Sequence, residues 1–398
     1  MHTVKPNSST RPPVRPAERF LVFGAPQIED AEIEEVVATL RSGWLGKGPR
    51  VAAFEESFAA YKRAEHPLAL NSCTAALHLS LLASGIGPGD EVITTAMTFC
   101  ATVNSIIHTG ATPVLCDVDP VTLNIDPDAI RDRITDKTRA ILVVHFAGRA
   151  CELDAIEALA RDHDLRIIED CAHAIETTYK GRPAGTIGDF GCFSFYATKN
   201  VATGEGGMLL SKYAHDAERA KTLSLHGMTR DAWKRFAAEG YRHYQVVEPG
   251  FKYNMMDIQA AIGIHQLARV DNNWERRLQV WRRYDQELAD LPIDLPASPG
   301  GESRHGLHLY TIRLREDAGL SRDAFLQRMT AEGIGTGVHY LAIPEHPVYQ
   351  ERLGWRPEDY PNAMHFGRDT ASLPLSARLT DSDVADVIEA TRRALGAS

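Results

Sequence analysis

An α/β fold with a mostly parallel sheet is predicted by three features of the chain. Between residues 66 and 194, short apolar runs alternate with helical segments, the pattern of a sheet covered by helices on both faces. The 398 residues are 44% hydrophobic and 24% charged, enough to bury a sizeable core. Past Gly250 the pattern changes to longer helices around isolated strands, which predicts a second, smaller α/β unit.

The elements follow in order. Residues 1–18 carry Pro6, Pro12, Pro13 and Pro16 among Ser, Thr and Arg and read as a flexible arm. Ile33, Val36, Val37 and Leu40 recur at helical spacing and predict a helix over 28–41. Ser42 to Pro49 is a glycine-rich loop carrying Trp44 and Lys47, and a second helix spans 51–63. Strands are expected at 67–70, 91–95, 113–116, 140–144, 166–169 and 190–194, with helices at 75–84 and 156–163 among them. A helix from 256 to about 267 runs on into a polar helix reaching about 291, where Pro292 stops it. A strand at 307–315, a helix at 324–332 and a strand or loop at 336–340 follow. Thr380-Asp381-Ser382-Asp383 opens the last helix in the manner of a capping box, and Thr391 interrupts its apolar stripe of Val384, Val387, Ile388 and Leu395. The expected division is 19–269 for the large unit and 270–398 for the small one.

Composition excludes several classes. A net charge of −10 and a pI of about 5.9 argue against a nucleic-acid binder. No apolar run reaches the length of a membrane span, and the N-terminus has no signal-peptide core. The six cysteines contain no CxxC pair and read as reduced, mostly buried thiols. The expectation is a cytoplasmic protein with no membrane and no nucleic-acid partner.

In parallel sheets ligands bind beyond the carboxyl ends of the strands, so residues there carry the functional signal. Asn71-Ser72-Cys73-Thr74-Ala75 joins a strand to a helix and offers backbone N–H groups and hydroxyls to an anion; a plain helix cap is the bland reading. Phe99 follows the run 91–95 and could stack on a heterocycle or lie in the core. Asp170 ends a very apolar strand, where its carboxylate could keep a pyridine nitrogen protonated, or could cap a helix; His173 follows three residues on. Ser194 adds a phosphate donor. Lys199, between the run 190–194 and Gly204-Glu205-Gly206-Gly207, sits where burial would lower an amine's pKa and favour Schiff-base chemistry. An anion cradle, an aromatic, a carboxylate and a lysine in this strand order suit pyridoxal phosphate (PLP). No GxGxxG follows the first strand, which counts against a dinucleotide enzyme.

Together with Ser42-Gly43-Trp44-Leu45, Gly48-Pro49, Gly89 to Ile93, Gly110 to Pro113, His226-Gly227, Gly250 to Asn254 and Gly335 to Tyr340, these motifs resemble the sugar-nucleotide aminotransferases of the DegT group. The resemblance runs from about Arg19 to the end. It implies PLP fold type I, with a mostly parallel sheet of the seven-stranded type between helices and a smaller C-terminal domain. It makes Lys199 the Schiff-base lysine and Asp170 the pyridine-nitrogen partner. Ser72, Cys73, Thr74, Ala75 and Ser194 surround the phosphate, Phe99 stacks on the ring, and His173 lies near its phenolic oxygen. Asn254 reaches the cofactor of a partner subunit, which implies a homodimer with shared active sites. Trp44, Lys47, His308, His339 and Tyr340 become substrate-pocket candidates, Lys47 being a departure from the threonine of many relatives. The implied reaction moves an amino group from L-glutamate to a keto group of a nucleotide-diphosphate sugar. Similarity to the 4-amino-4-deoxy-L-arabinose type, including Gly335 to His339, favours C4. A 3-keto sugar, a keto-inositol, or a non-catalytic regulatory protein of the same fold are the alternatives. Lys199 argues against the branch that carries histidine there and dehydrates sugars.

Overall fold

The computed structural model describes residues 12–228 and 244–397. Its centre is a seven-stranded sheet in the order β1-β9-β8-β5-β4-β2-β3. These are β1 (His66–Leu70), β2 (Glu91–Thr95), β3 (Thr112–Cys116), β4 (Thr138–Val144), β5 (Arg166–Asp170), β8 (Phe190–Ser194) and β9 (Gly207–Ser211); the hairpin β6 (Thr178–Tyr179) and β7 (Arg182–Pro183) lies between β5 and β8. All neighbours run parallel except β9, which is antiparallel to both β8 and β1. Strand residues alternate between two cores. Val92, Leu142, Ile168 and Cys192 pack with the helix Cys73–Ala83 on one face. Ile93, Ile141, Val143 and Ile167 pack with the helix Leu153–Asp162 on the other. Burial on both faces explains why the strands read as continuous apolar runs.

The sequence reading placed no strand at β9. Two adjacent glycines at its start look like a turn, yet they serve close packing. A Cβ on Gly207 would lie 2.4 Å from the Ser72 carbonyl carbon, and one on Gly206 would lie 2.3 Å from the Thr203 hydroxyl.

The smaller sheet holds β10 (Ile293–Asp294), β11 (Tyr310–Leu314) and β12 (Thr370–Leu373), all antiparallel. Trp281, Tyr284 and Tyr310 fill its core with the helices Val270–Glu287 and Asp381–Ala394. The helix expected from 256 to about 267 and the polar helix it runs into are Asp257–Ala268 and Val270–Glu287, parted at Arg269, the second ending before the expected 291. The capping box forms: Thr380 Oγ1 accepts from Asp383 N at 3.1 Å and Asp383 Oδ2 from Thr380 N at 2.9 Å. Thr391 is buried in the stripe because its hydroxyl donates to Val387 O at 2.7 Å.

The arm expected over 1–18 meets the structure only from Pro12, since 1–11 lie outside the described residues. From there the chain is held by residues far along the sequence. Val14 N donates to Glu332 Oε2 at 2.9 Å, Arg15 pairs with Asp386 at 2.9 Å and with Asp383, and Leu21 bridges to Ile334. We propose that this stretch belongs with the unit 270–398.

A buried ion pair ties the two sheets. Arg277, on the helix Val270–Glu287, pairs with Glu176 at side-chain exposures of 3% and 0%. Removing one partner strands the other's charge in a dry site. Glu176→Gln is expected to cost about 3–5 kcal/mol in urea denaturation; an unchanged midpoint would show that the pair is dispensable.

Candidate active site

The carboxyl ends of β1, β2, β5 and β8 converge, and the turns after them carry the candidate residues. Ser72 is the N-cap of the helix Cys73–Ala83, its Oγ accepting from Ala75 N at 3.1 Å. The capping reading therefore holds, and it leaves the first N–H groups of the helix and the exposed Thr74 side chain pointing outward. Ser194, buried, ends β8.

Asp170 and Glu169 show what strand alternation does to adjacent carboxylates. Glu169 is sealed in one face and fully bonded: it pairs with His145 Nε2 at 2.9 Å and accepts from Gly185 N at 2.7 Å, Ile187 N at 2.9 Å and Gly188 N at 2.7 Å. Burial raises its pKa, but these donors win and leave it below the usual carboxylate value. Asp170 points to the other face. It accepts from Thr102 Oγ1 at 2.9 Å and Ala172 N at 3.1 Å, with Cys73 Sγ 3.9 Å away. No guanidinium or ammonium bonds it among the described residues, and burial outweighs the two donors, pushing its pKa up. A turn rather than a helix follows, so Asp170 is not a helix cap.

Lys199 lies on the turn after β8, half-buried, with no hydrogen bond on its amine among the described residues. Burial lowers its pKa to about 8, against the opposing pull of Cys73 and Asp170. A depressed pKa alone does not mark a nucleophile: buried Lys62 is also lowered to about 8, but its ammonium is spent on Ile175 O at 2.9 Å and lies over the Phe193 ring. Lys199 differs in facing the group of candidates.

Aromatic side chains close the site. Phe99 is 59% exposed, so the reading of it as core fails in this chain. Its ring lies 6.0 Å from that of Tyr340. Tyr340 Oη is 2.9 Å from His173 Nε2, and His308 lies over His173 with centroids 4.4 Å apart. His339 Nδ1 is 2.9 Å from Ser372 Oγ. Burial drives His173 and His308 well below the usual histidine pKa and His339 to about 4, with Lys199 adding to each.

Other candidates stand apart. Trp44 is exposed, with Nε1 donating to Lys47 O at 3.2 Å; Lys47 Nζ pairs with Glu55 at 2.9 Å. Asn254 is bridged through its backbone to Leu70, and Lys252 Nζ contacts its Oδ1. Sequence reasoning passed over three supports. Asp257, fully buried, accepts from Gly48 N at 2.7 Å, Val51 N at 3.0 Å and Arg50 N at 3.1 Å, anchoring the Trp44 loop. Thr102 fixes Asp170. Asn200, next to Lys199, bonds Glu176 and Gly306 O at 2.9 Å each. Only Asn200 lay in a quoted motif; the other two act across long sequence separations.

These features suit PLP. The buried carboxylate lacking a cationic partner matches a protonated ring nitrogen, the helix start a phosphate, and the low-pKa amine an aldehyde.

Comparison with known proteins agrees. Residues 26–392 match the model of the DegT/DnrJ/EryC1/StrS aminotransferase family. The chain is 49% identical over 381 residues to the spore coat polysaccharide biosynthesis protein SpsC of Bacillus subtilis (strain 168), covering 95% of this chain and 98% of that one. The structure of Spr1654 from Streptococcus pneumoniae in its PLP-form superposes with a TM-score of 0.87 at 35% identity, covering 94% of this chain and 98% of that one. Helicobacter pylori PseC, an aminotransferase involved in the biosynthesis of pseudoaminic acid, gives a TM-score of 0.87 at 27% identity, covering 94% and 99%. The fold is that of a PLP-dependent transferase of fold type I. The chain belongs to the DegT/DnrJ/EryC1/StrS aminotransferase family, and its structural neighbours include sugar aminotransferases.

Proposed function

We propose that the protein moves an amino group from L-glutamate to the C4 keto group of a nucleotide-linked sugar. The observation that carries this is Lys199, its pKa lowered to about 8, within electrostatic reach of Asp170, a buried carboxylate to which no guanidinium or ammonium is hydrogen-bonded among the described residues, in a chain of the aminotransferase family. The sugar-related names of SpsC and PseC support the substrate class.

Bound PLP supplies an aldehyde that condenses with amines and a ring that accepts electrons. The protein's part follows from its own groups. Ser72, Cys73, Thr74, Ala75 and Ser194 would hold the phosphate through the helix N-terminus and hydroxyls. With the cofactor bound, Asp170 would hold a proton on the ring nitrogen, and Phe99 and His173 would be the aromatic groups that hold the ring. Lys199, neutral in part at physiological pH, takes a proton from the reacting carbon and returns one. His308, His339 and Tyr340 would face the substrates, whereas Trp44 and Lys47 stand apart from them within one copy of the chain.

A homodimer with shared sites is part of the reading. Trp44, Leu45, Tyr196 and Met256 are between 45% and 56% exposed, an apolar surface suited to a second copy. Asn254 then reaches the partner's phosphate. The described residues include no helix long and apolar enough to cross a membrane, and the proposed setting is the cytoplasm.

The direct test is an assay of a keto-sugar panel with glutamate, reading release of 2-oxoglutarate. A protein that binds PLP yet yields none with any sugar would sink the proposal. The pKa gives a second check. The apoprotein should capture added PLP at a rate that rises with pH and levels off above about 8, because only the neutral amine attacks. A rise continuing toward the ordinary lysine value of 10.5 would contradict the role given to Lys199.

A further inference from the structure

The hydrogen bonds around His173 fix where several protons lie. The Ala147 amide can only donate, and it sits 3.2 Å from His173 Nδ1, so that nitrogen carries the lone pair. The neutral ring then bears its proton on Nε2, 2.9 Å from Tyr340 Oη. Tyr340 accepts that bond, so its own O–H is directed elsewhere. Among the described residues it has no second partner, and its ring lines a groove of about 300 Å³ with Phe99, Leu341 and His346.

His308 has the opposite polarity. The Asn200 amide nitrogen faces two pure acceptors, Glu176 Oε2 and Gly306 O, each at 2.9 Å. Its oxygen is therefore the atom 3.1 Å from His308 Nδ1, and His308 must carry its proton there. Nε2 of His308 is left as an acceptor. The buried Glu176–Arg277 pair holds this arrangement from behind. Both imidazoles stay neutral, as burial beside Lys199 requires.

We propose that Tyr340 donates, and His308 Nε2 accepts, hydrogen bonds with hydroxyl groups of the sugar, forming a polarised pair that selects a polyhydroxylated ketone over an amino-acid chain. The inference rests on the sugar reading above and adds which residue gives and which takes. A hydroxyl both donates and accepts, so it can satisfy both ends. The carboxylates of glutamate can satisfy only the donor.

Two measurements test it. In Tyr340→Phe, kcat/KM for the keto-sugar is expected to fall about 10- to 100-fold. In His308→Phe, which removes the acceptor that glutamate's carboxylates cannot use, kcat/KM for the keto-sugar is expected to fall at least about tenfold further than the rate at which glutamate bleaches the enzyme-bound cofactor. Equal losses in both half-reactions, or none, would overturn the proposal. A neutron structure of the deuterated holoenzyme should place deuterium on Nε2 of His173 and Nδ1 of His308, with the Tyr340 O–D turned away from His173. Reversal of either histidine in an enzyme that aminates sugars would overturn this inference alone. A wild type that aminates no sugar would instead fail the functional proposal.

Discussion

Lys199→Ala should abolish transamination and remove the visible absorbance of the lysine-bound cofactor. The expected loss in kcat is about 10⁴-fold or more, because the amine both anchors the cofactor and moves the proton. Borohydride should no longer fix the cofactor to the protein. The fold should survive, since Lys199 is half-buried and its amine holds no other element in place. The phosphate cradle around Ser72 and Ser194 is untouched, so PLP should still bind without a covalent link. An unchanged spectrum that still bleaches with borohydride would assign the linkage to another lysine, of which Lys62 is the only other one with a resolved downward shift among the described residues. The same variant probes the proposed homodimer. Mixed and refolded with Asn254→Ala, it should regain activity, because one site of the mixed dimer then combines an intact Lys199 with an intact Asn254. No recovery would place both residues in the same subunit's site.

Asp170→Asn should separate activity from stability. Activity is expected to drop by about 10³-fold, since an amide cannot keep the ring nitrogen charged. The apoprotein should be as stable as the wild type or more so at neutral pH. The sign follows from linkage. Burial raises the Asp170 pKa in the fold above its ordinary value of 3.8. Between these two values the folded state binds more protons, so stability falls as pH rises through that window, and the penalty persists above it. The amide removes the penalty. The hydrogen bonds can be kept, because Asn Oδ1 still accepts from Ala172 N and Thr102 can turn its proton to Thr98 Oγ1, 2.7 Å away, and accept from the amide. Thermal melts of the two apoproteins read the difference. A large loss of stability in the asparagine variant would show that Asp170 serves the fold.

Much of this site could be read along the chain because strand ends are local features. Asp170 closes a run of apolar residues, and Ser72 stands between a strand and a helix, so spacing alone placed them. Lys199 stood out through the glycines after it, though for a different reason from the one the fold reveals. Gly206 and Gly207 bring β9 against the Ser72–Cys73 backbone and Thr203. Phe99 could not be judged in advance: an aromatic after a strand packs inward or outward according to what faces it, and here it stands open. The strand β9 was missed because its partners, β8 and β1, lie on either side of it in space but not as a repeat in sequence. The residues from Pro12 looked loose because their partners, Glu332, Asp383 and Asp386, come more than three hundred positions later.

The sequence by itself determined the α/β alternation, the strand ends and the kinds of side chain placed there, because hydrophobic periodicity and backbone preferences act over a few residues. Only the tertiary structure decided which groups are charged and which way their protons point. Glu169 and Asp170 are neighbours in sequence, yet one is sealed by four donors and the other has two, with burial raising its pKa. The polarity of Tyr340 and His308 depends on Ala147 and Asn200, which meet them from distant parts of the chain. Solvation and hydrogen-bond partners are properties of packing in three dimensions, and local sequence does not encode them.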